Sequence, residues 1–183
     1  ENGWSTEELP LPGLGTVGIE STSDVDDSFF FTYTDYLTPS SLYLVRDGKD
    51  PEPVKSTPAW FDSTGMSVEQ LEATSVDGTK IPYFVFKPKG FEANGGNPTL
   101  LYGYGGFNSS RTPSYRTTRM VWLEMGGVLV IANLRGGGEY GRAWHMAGTK
   151  LQKQNVFDDF IAAAEWLIDS GYTSTPKLAI QGG

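Results

Sequence analysis

The stretch Pro98-Thr-Leu-Leu-Tyr-Gly-Tyr-Gly-Gly-Phe107 decides the fold, because a short apolar run passes directly into a glycine-rich loop. Two other apolar runs end in the same way. Residues 127–132 lead into a loop with three consecutive glycines, and residues 178–181 lead into Gly182 and Gly183. Short continuous apolar strands are typical of a parallel sheet, and open α/β sheets bind ligands at the carboxyl ends of their strands. The three glycine-rich ends therefore predict one functional edge.

Helical patterns separate these strands. We expect one helix at about 114–124 and a second at about 155–169. The second has apolar residues at helical spacing on one face, namely Val156, Phe160, Ala163, Ala164 and Leu167. Asn155 is the expected N-cap of this helix, and Asp158 and Asp159 in its first turn are expected to act on the cap and the helix dipole.

A different pattern precedes these elements. Asp77-Gly78 predicts a hairpin between strands at 68–75 and 81–87, and the order hairpin–strand–helix–strand–helix–strand predicts an α/β fold. Farther towards the start, residues 28–35 and 41–46 are rich in aromatic and β-branched side chains and predict two more strands.

Two antiparallel strands are too few to be stable alone, so we expect the pair at 28–35 and 41–46 to belong to a larger sheet that begins before residue 1. The proline-rich segment 50–58 is the expected connector between domains. The predicted organisation is thus a first domain at 1–58 and a second at 59–183. Because the chain opens in a Gly/Pro-rich stretch and closes on a strand that runs into a glycine turn, we expect an internal piece of a longer protein.

Composition excludes several classes of function. The 183 residues carry 22 acidic and 14 basic side chains, a net charge of −8, which argues against binding to nucleic acid or to an anionic membrane. There is no cysteine and one histidine, His145, so a disulfide scaffold, a cysteine nucleophile and a multi-histidine metal site are excluded. No metal or cofactor is expected. The compartment, cytoplasmic or periplasmic, stays open.

Two strand ends could carry chemistry. Gly182 and Gly183 match the first two positions of a nucleophile elbow, Gly-x-Ser-x-Gly, although any glycine turn after a strand would look alike. In the loop 102–107, glycines would let the backbone approach a substrate, and a tyrosine hydroxyl could donate to an oxyanion. On local grounds a tight turn between packed aromatics is the favoured interpretation of this loop.

The loop Arg135-Gly-Gly-Gly-Glu-Tyr-Gly141 lacks the lysine of a phosphate-binding loop and the spacing of a dinucleotide-binding motif. A structural loop in which Arg135 is tied to a carboxylate is favoured. His145 precedes the candidate elbow, whereas the histidine of α/β hydrolases follows the nucleophile. We therefore do not expect His145 to be a general base.

Five segments, taken together in order and spacing, resemble the prolyl oligopeptidase family. They are Leu101-Tyr-Gly-Tyr-Gly-Gly-Phe-Asn108, Gly126-Gly-Val-Leu-Val-Ile-Ala-Asn-Leu-Arg135, Arg135-Gly-Gly-Gly-Glu-Tyr-Gly141, Gln154-Asn-Val-Phe-Asp-Asp-Phe160 and Ile180-Gln-Gly-Gly183. The resemblance is strong over 59–183 and weaker over 1–58. It implies the amino-terminal half of an α/β-hydrolase peptidase domain, preceded by the last blade of a β-propeller.

The resemblance also implies roles for single residues. Tyr104 matches a tyrosine that forms half of the oxyanion hole, and Phe107 matches a phenylalanine of the proline pocket. Gly182 and Gly183 match the elbow, whose serine would be the next residue. The family's Ser–Asp–His triad would then lie outside the printed sequence, and this segment would be inactive alone. The implied partners are short proline-containing peptides and the remainder of the chain.

Two alternatives stay open. The related oligopeptidase B cleaves after arginine or lysine and shares the loop 135–138, although Phe107 favours proline. The other alternative is a segment that binds peptides without catalysing their cleavage.

Overall fold

The computed structural model describes residue 3 and residues 6–183, and it divides into two compact units. The first contains the residues up to Trp60 together with Pro113–Tyr115, and the second contains Phe61–Thr112 and Arg116–Gly183. Residues 1, 2, 4 and 5 of the domain predicted at 1–58 lie outside the described part. No helix in the part that is described has the length and apolar content that a membrane span needs.

The first unit is built on a four-stranded antiparallel sheet in which each strand pairs with the next along the chain. Its strands are β1 (Thr16–Thr22), β2 (Phe29–Thr34), β3 (Ser41–Val45) and β4 (Glu52–Ser56). Its apolar core contains the fully buried Phe31 and Tyr33. The ring of Phe31 stacks on that of Tyr43, with centroids 5.2 Å apart.

The prediction for this region missed two strands. The predicted pair does belong to a larger sheet, to which this chain contributes the further strands β1 and β4. Segment 50–58 is also not a plain connector, because Glu52–Ser56 forms β4. Its proline, Pro53, is tolerated because β4 pairs only with β3 among the described strands and the ladder is irregular beside it.

The second unit has the predicted α/β pattern. Its strands are β5 (Ser67–Thr74), β6 (Lys80–Lys87), β7 (Thr99–Gly103), β8 (Val128–Ala132) and β9 (Leu178–Gln181), and its helices are α1 (Thr117–Glu124), α2 (Gly141–Met146) and α3 (Gln154–Asp169). The sheet order is β5-β6-β8-β7-β9. The hairpin strands pair antiparallel, whereas β7 is parallel to both β8 and β9.

The parallel register brings the predicted strand ends to one edge. All five residues of β8 are buried, which agrees with a strand in the middle of the sheet. Gly103, the last residue of β7, is opposite Ala132, the last residue of β8. Tyr102 is opposite Gln181, the last residue of β9. The loops that follow β7 and β8 and the residues after β9 therefore leave the sheet at the same edge.

The helix predictions need correction at their starts. Helix α1 begins at Thr117 rather than near residue 114, because Pro113–Tyr115 belongs to the first unit, where the Tyr115 hydroxyl accepts the Trp60 backbone N–H (2.9 Å). Helix α2 was not predicted. Helix α3 begins at Gln154, and Asn155 is not its N-cap: the Asn155 amide donates to the Ala147 carbonyl (2.9 Å).

Candidate functional site

A cavity of about 340 Å³ opens at the shared carboxyl edge of β7, β8 and β9. Its lining combines the end of β7, the start of the loop after β8, one face of α3 and the end of β9: Gly103, Tyr104, Leu134, Val156, Phe157, Phe160, Ile180, Gln181, Gly182 and Gly183. Tyr104 and both glycines of the predicted elbow thus line the same cavity. Phe107 does not line it, and its side chain is 89% exposed.

Backbone segments approach so closely at this edge that two of its glycines have no room for a side chain. A Cβ on Gly182 would lie 2.8 Å from the Gly103 carbonyl oxygen. A Cβ on Gly105 would lie 2.3 Å from Val156 Cγ1, and Gly105 also has a φ of +57°, which favours glycine. Close packing therefore requires glycine at positions 105 and 182, whereas a Cβ on Gly183 would meet no atom within 4 Å.

The loop after Gly105 contains a strained turn. Phe107 and Asn108 both have a φ of +54°, and the Ser109 N–H donates to the Gly106 carbonyl across them (3.0 Å). Asparagine adopts this left-handed conformation readily, but for phenylalanine it costs roughly 1–2 kcal/mol. Strain of this kind persists where the surrounding structure fixes the backbone, often at binding sites. Its effect here is to present the Phe107 ring outward.

Lys153 anchors the loop that follows β7. Its ammonium group donates to the Gly105 carbonyl (2.7 Å), one residue after Tyr104. Lys153 directly precedes α3, so this contact fastens the loop that follows β7 to the start of a helix. The sequence does not mark Lys153, because a lone lysine before a helix carries no signal of a distant backbone partner.

Arg135 is tied to carboxylates, which confirms the favoured interpretation of the loop that follows β8. Its Nε donates to Asp159 Oδ2 (2.9 Å) and its Nη2 to Asp159 Oδ1 (2.6 Å), a two-pronged contact. The Arg135 backbone N–H also donates to Asp159 Oδ2 (3.1 Å). A further bond runs from Nη1 to Asp77 Oδ2 (2.5 Å), in the turn of the hairpin. Asp159 is completely buried, so its expected role at the helix start was wrong.

The charges in this cluster stabilise one another. Hydrogen bonds from Arg135, followed by the Thr79 backbone N–H, lower the pKa of Asp77 from 3.8 to about 2. Hydrogen bonding to Asp159 raises the pKa of Arg135, and burial opposes this rise without cancelling it. Arg135 is therefore a permanent cation whose counter-ions join the hairpin, the loop after β8 and α3.

A second arginine, which the sequence analysis missed, lies against Tyr104. The guanidinium carbon of Arg111 is 4.4 Å from the centroid of the Tyr104 ring and 5.6 Å from that of Tyr102. Glu139 fixes the Arg111 backbone by accepting its N–H (2.8 Å), and Asn133 donates to its carbonyl (3.1 Å). Only the tertiary structure reveals this contact, because seven positions and a turn separate Arg111 from Tyr104.

His145 has a structural contact. Its Nδ1 donates to the Gly136 carbonyl oxygen (2.8 Å) in the loop after β8. Within residue 3 and residues 6–183, no group of three or more histidine, aspartate and glutamate side chains is arranged to hold a metal ion.

The whole chain is similar in sequence to known peptidases. Residues 113–183 match the sequence profile of the Prolyl oligopeptidase family. Over the whole chain it is 45% identical to an uncharacterised peptidase of Sinorhizobium fredii and 42% identical to a prolyl endopeptidase of Elizabethkingia miricola. A solved prolyl endopeptidase superimposes with a TM-score of 0.87 at 43% identity over 97% of this chain. The chain spans 26% of the length of each of these three proteins.

Proposed function

We propose, on the premise that this chain belongs to the prolyl oligopeptidase family, that it is part of a serine endopeptidase that cleaves short peptides after proline. The observation that carries this proposal is the cavity that Tyr104 and the glycines of the predicted elbow line together. An oxyanion donor and a nucleophile must face one reacting carbonyl. This shared lining is the arrangement that such chemistry requires.

The proposed domain organisation follows from the same relationship. Residues 1–58 would form the last blade of a β-propeller, since a four-stranded antiparallel sheet such as β1–β4 is the unit of that fold. Residues 59–183 would form the first part of an α/β-hydrolase domain. The catalytic serine would directly follow Gly183, and the aspartate and histidine of the triad would come later in the longer protein.

The proposed reaction is acyl transfer. The serine oxygen attacks the carbonyl carbon of the proline residue and passes its proton to the histidine, which then gives a proton to the leaving amine of the next residue. Water hydrolyses the acyl-enzyme in a second cycle. During both steps the Tyr104 hydroxyl would donate to the oxyanion, while Phe107 would contact the proline ring. Neither step calls for a cofactor.

Labelling with a fluorophosphonate tests the serine chemistry. The full-length protein that carries this sequence should gain the mass of one probe, and a protein that gains none would support the alternative of peptide binding without catalysis. Two chromogenic peptides that differ only in proline or arginine before the scissile bond then separate the remaining alternatives. Faster turnover of the proline peptide supports the proposal, and faster turnover of the arginine peptide supports specificity like that of oligopeptidase B.

Tyr104→Phe tests the oxyanion role, because it removes the hydroxyl and keeps the ring that contacts Arg111. Loss of one oxyanion donor should lower kcat by about 100-fold or more with a small change in KM. Steady-state kinetics on the proline peptide provide the measurement. An unchanged kcat would remove Tyr104 from the oxyanion hole.

A further inference from the structure

We propose that Arg111 is a positioning residue for Tyr104, and that its guanidinium holds the tyrosine ring and strengthens the ring hydroxyl as an oxyanion donor. This inference rests on the proposed role of Tyr104. It begins from the contact between the Arg111 guanidinium and the Tyr104 ring face, at 4.4 Å from the ring centroid. At that distance a cation is attracted by the negative face of an aromatic ring.

The backbone of Arg111 is held by two hydrogen bonds. Its N–H is bound by Glu139 Oε1 and its carbonyl by the Asn133 side chain, which also donates to Glu139 Oε1 (3.3 Å). Asn133 is almost completely buried. Both residues belong to the segment after β8, so the core of the sheet fixes the backbone from which the guanidinium extends.

The guanidinium is directed towards aromatic rings. Its Nε is buried and has no hydrogen-bond partner among the residues the structure describes, while its central carbon contacts Tyr104 closely and Tyr102 at 5.6 Å. Arg111 and Tyr104 are both partly buried, and there a charge acts on a neighbouring dipole more strongly than in bulk solvent. The positive charge should therefore favour the negative charge that accumulates on the Tyr104 oxygen as its hydroxyl donates to an oxyanion.

Both effects act mainly in the transition state. A donor that is already oriented needs no reorganisation when charge develops, and small displacements of catalytic groups lower rates strongly. Arg111 should therefore affect kcat more than KM. This distinguishes it from a residue that only supports the fold, whose loss would lower stability without acting through Tyr104.

The test is a double-mutant cycle in the full-length protein. Arg111→Met removes the charge and keeps much of the side-chain length, and it should lower kcat for the proline peptide by about 10-fold with KM nearly unchanged. In the Tyr104→Phe background the same substitution should lower kcat by less than about 3-fold, since coupled residues are not additive. Arg142→Met, at an exposed arginine of α2, is the matched control and should leave kcat unchanged.

Each outcome decides the question. Equal losses of kcat from Arg111→Met in both backgrounds, or no loss in either, would overturn the inference while leaving Tyr104 in the oxyanion hole. If Tyr104→Phe itself leaves kcat unchanged, the proposed function of Tyr104 fails instead, and the inference fails with it. If Arg111→Met does not fold, Arg111→Lys replaces it: the cation remains but the planar stacking is lost. For Arg111→Lys, a loss of kcat below about 10-fold that becomes smaller in the Tyr104→Phe background supports the inference. A loss of the same size in both backgrounds overturns it.

Discussion

Two glycine-rich loops leave neighbouring parallel strands at the same edge of the sheet, and they differ in almost every physical respect. The loop after β7, residues 104–109, is partly exposed, contributes Tyr104 to the cavity lining and contains two left-handed residues other than glycine. The loop after β8, residues 133–139, is largely buried and organised around the paired charge of Arg135. Glycine content and position in the sheet are therefore not enough to tell an exposed loop at this edge from a buried one.

The second loop supports the first. A Cβ on Gly136 would lie 2.6 Å from the Gly105 carbonyl oxygen, and the Gly136 carbonyl accepts the N–H of Asn108 (3.1 Å). Glu139 and Asn133 meanwhile hold Arg111. The buried loop after β8 therefore provides rigidity, and the exposed loop after β7 presents its side chains at the edge of the sheet.

The largest expected effect comes from breaking the buried ion pair of the second loop. Asp159→Asn leaves the buried Arg135 guanidinium without its main counter-ion, and we expect it to lower the free energy of unfolding by about 3–5 kcal/mol. Urea unfolding of the full-length protein, monitored by tryptophan fluorescence, measures the change.

Asp158→Asn is the matched control, because Asp158 is the adjacent acidic residue of α3 and accepts a bond from the neutral Gln154 side chain (2.9 Å). It should change the unfolding free energy by less than about 0.5 kcal/mol. Similar losses for the two variants would show that the buried pair does not set the rigidity of the second loop.

A smaller effect is expected at the exposed tip of the first loop. Phe107→Ala removes the ring that we propose contacts the substrate proline, and it should raise KM for the proline peptide by about 10-fold, with a minor effect on kcat. Leu151→Ala, at another fully exposed apolar residue, should leave KM unchanged. A lower kcat with an unchanged KM for Phe107→Ala would place Phe107 outside the proline pocket.

The smallest expected effect concerns Asp77, the half-exposed carboxylate that pairs with Arg135. Folding lowers the pKa of Asp77 from 3.8 to about 2. Its contribution to stability is therefore complete above about pH 4 and is lost as the pH falls towards 2. Because the Asp77 side chain is 43% exposed, water screens the pair, and Asp77→Asn should cost less than about 1 kcal/mol at neutral pH.

Thermal unfolding between pH 2 and pH 6 measures this contribution. The unfolding temperatures of the parent protein and of Asp77→Asn should differ above pH 4 and converge towards pH 2. Curves that stay parallel over the whole range would show that the Asp77 charge does not contribute to the cluster.

Much of the second unit was predictable because its signals are local. Continuous apolar runs such as that at 128–132, the Asp77-Gly78 turn and the apolar face of α3 each specify an element from neighbouring residues. Strand β4 escaped prediction because Pro53 is normally unfavourable in a strand and is accepted there only at an edge. Helix α2 was missed because its six residues are too few to show a helical period.

The candidate site divides in the same way. The roles of Tyr104 and Gly182 could be proposed from sequence through the resemblance to one peptidase family, because local patterns alone favoured a tight turn at Tyr104 and left the elbow open. Lys153 and Arg111 could not, because their partners are a distant carbonyl and an aromatic face that no spacing rule connects. Asp159 was misassigned for a related reason: its position near the start of α3 suggested a role at the helix start, whereas Arg135, 24 residues earlier in the chain, is its partner.

The sequence by itself determined the α/β pattern and the glycine-rich edge, because apolar periodicity and glycine turns are specified by neighbouring residues. It also determined the resemblance to one peptidase family, which rests on five short segments in a fixed order. The tertiary structure alone decided which side chains meet at that edge. It buried Asp159 against Arg135, set Arg111 on the Tyr104 ring and turned Phe107 outward. These outcomes depend on how segments far apart in the chain pack together. Asp159 of α3 pairs with Arg135 after β8, and Glu139 and Asn133 after β8 fix the backbone of Arg111.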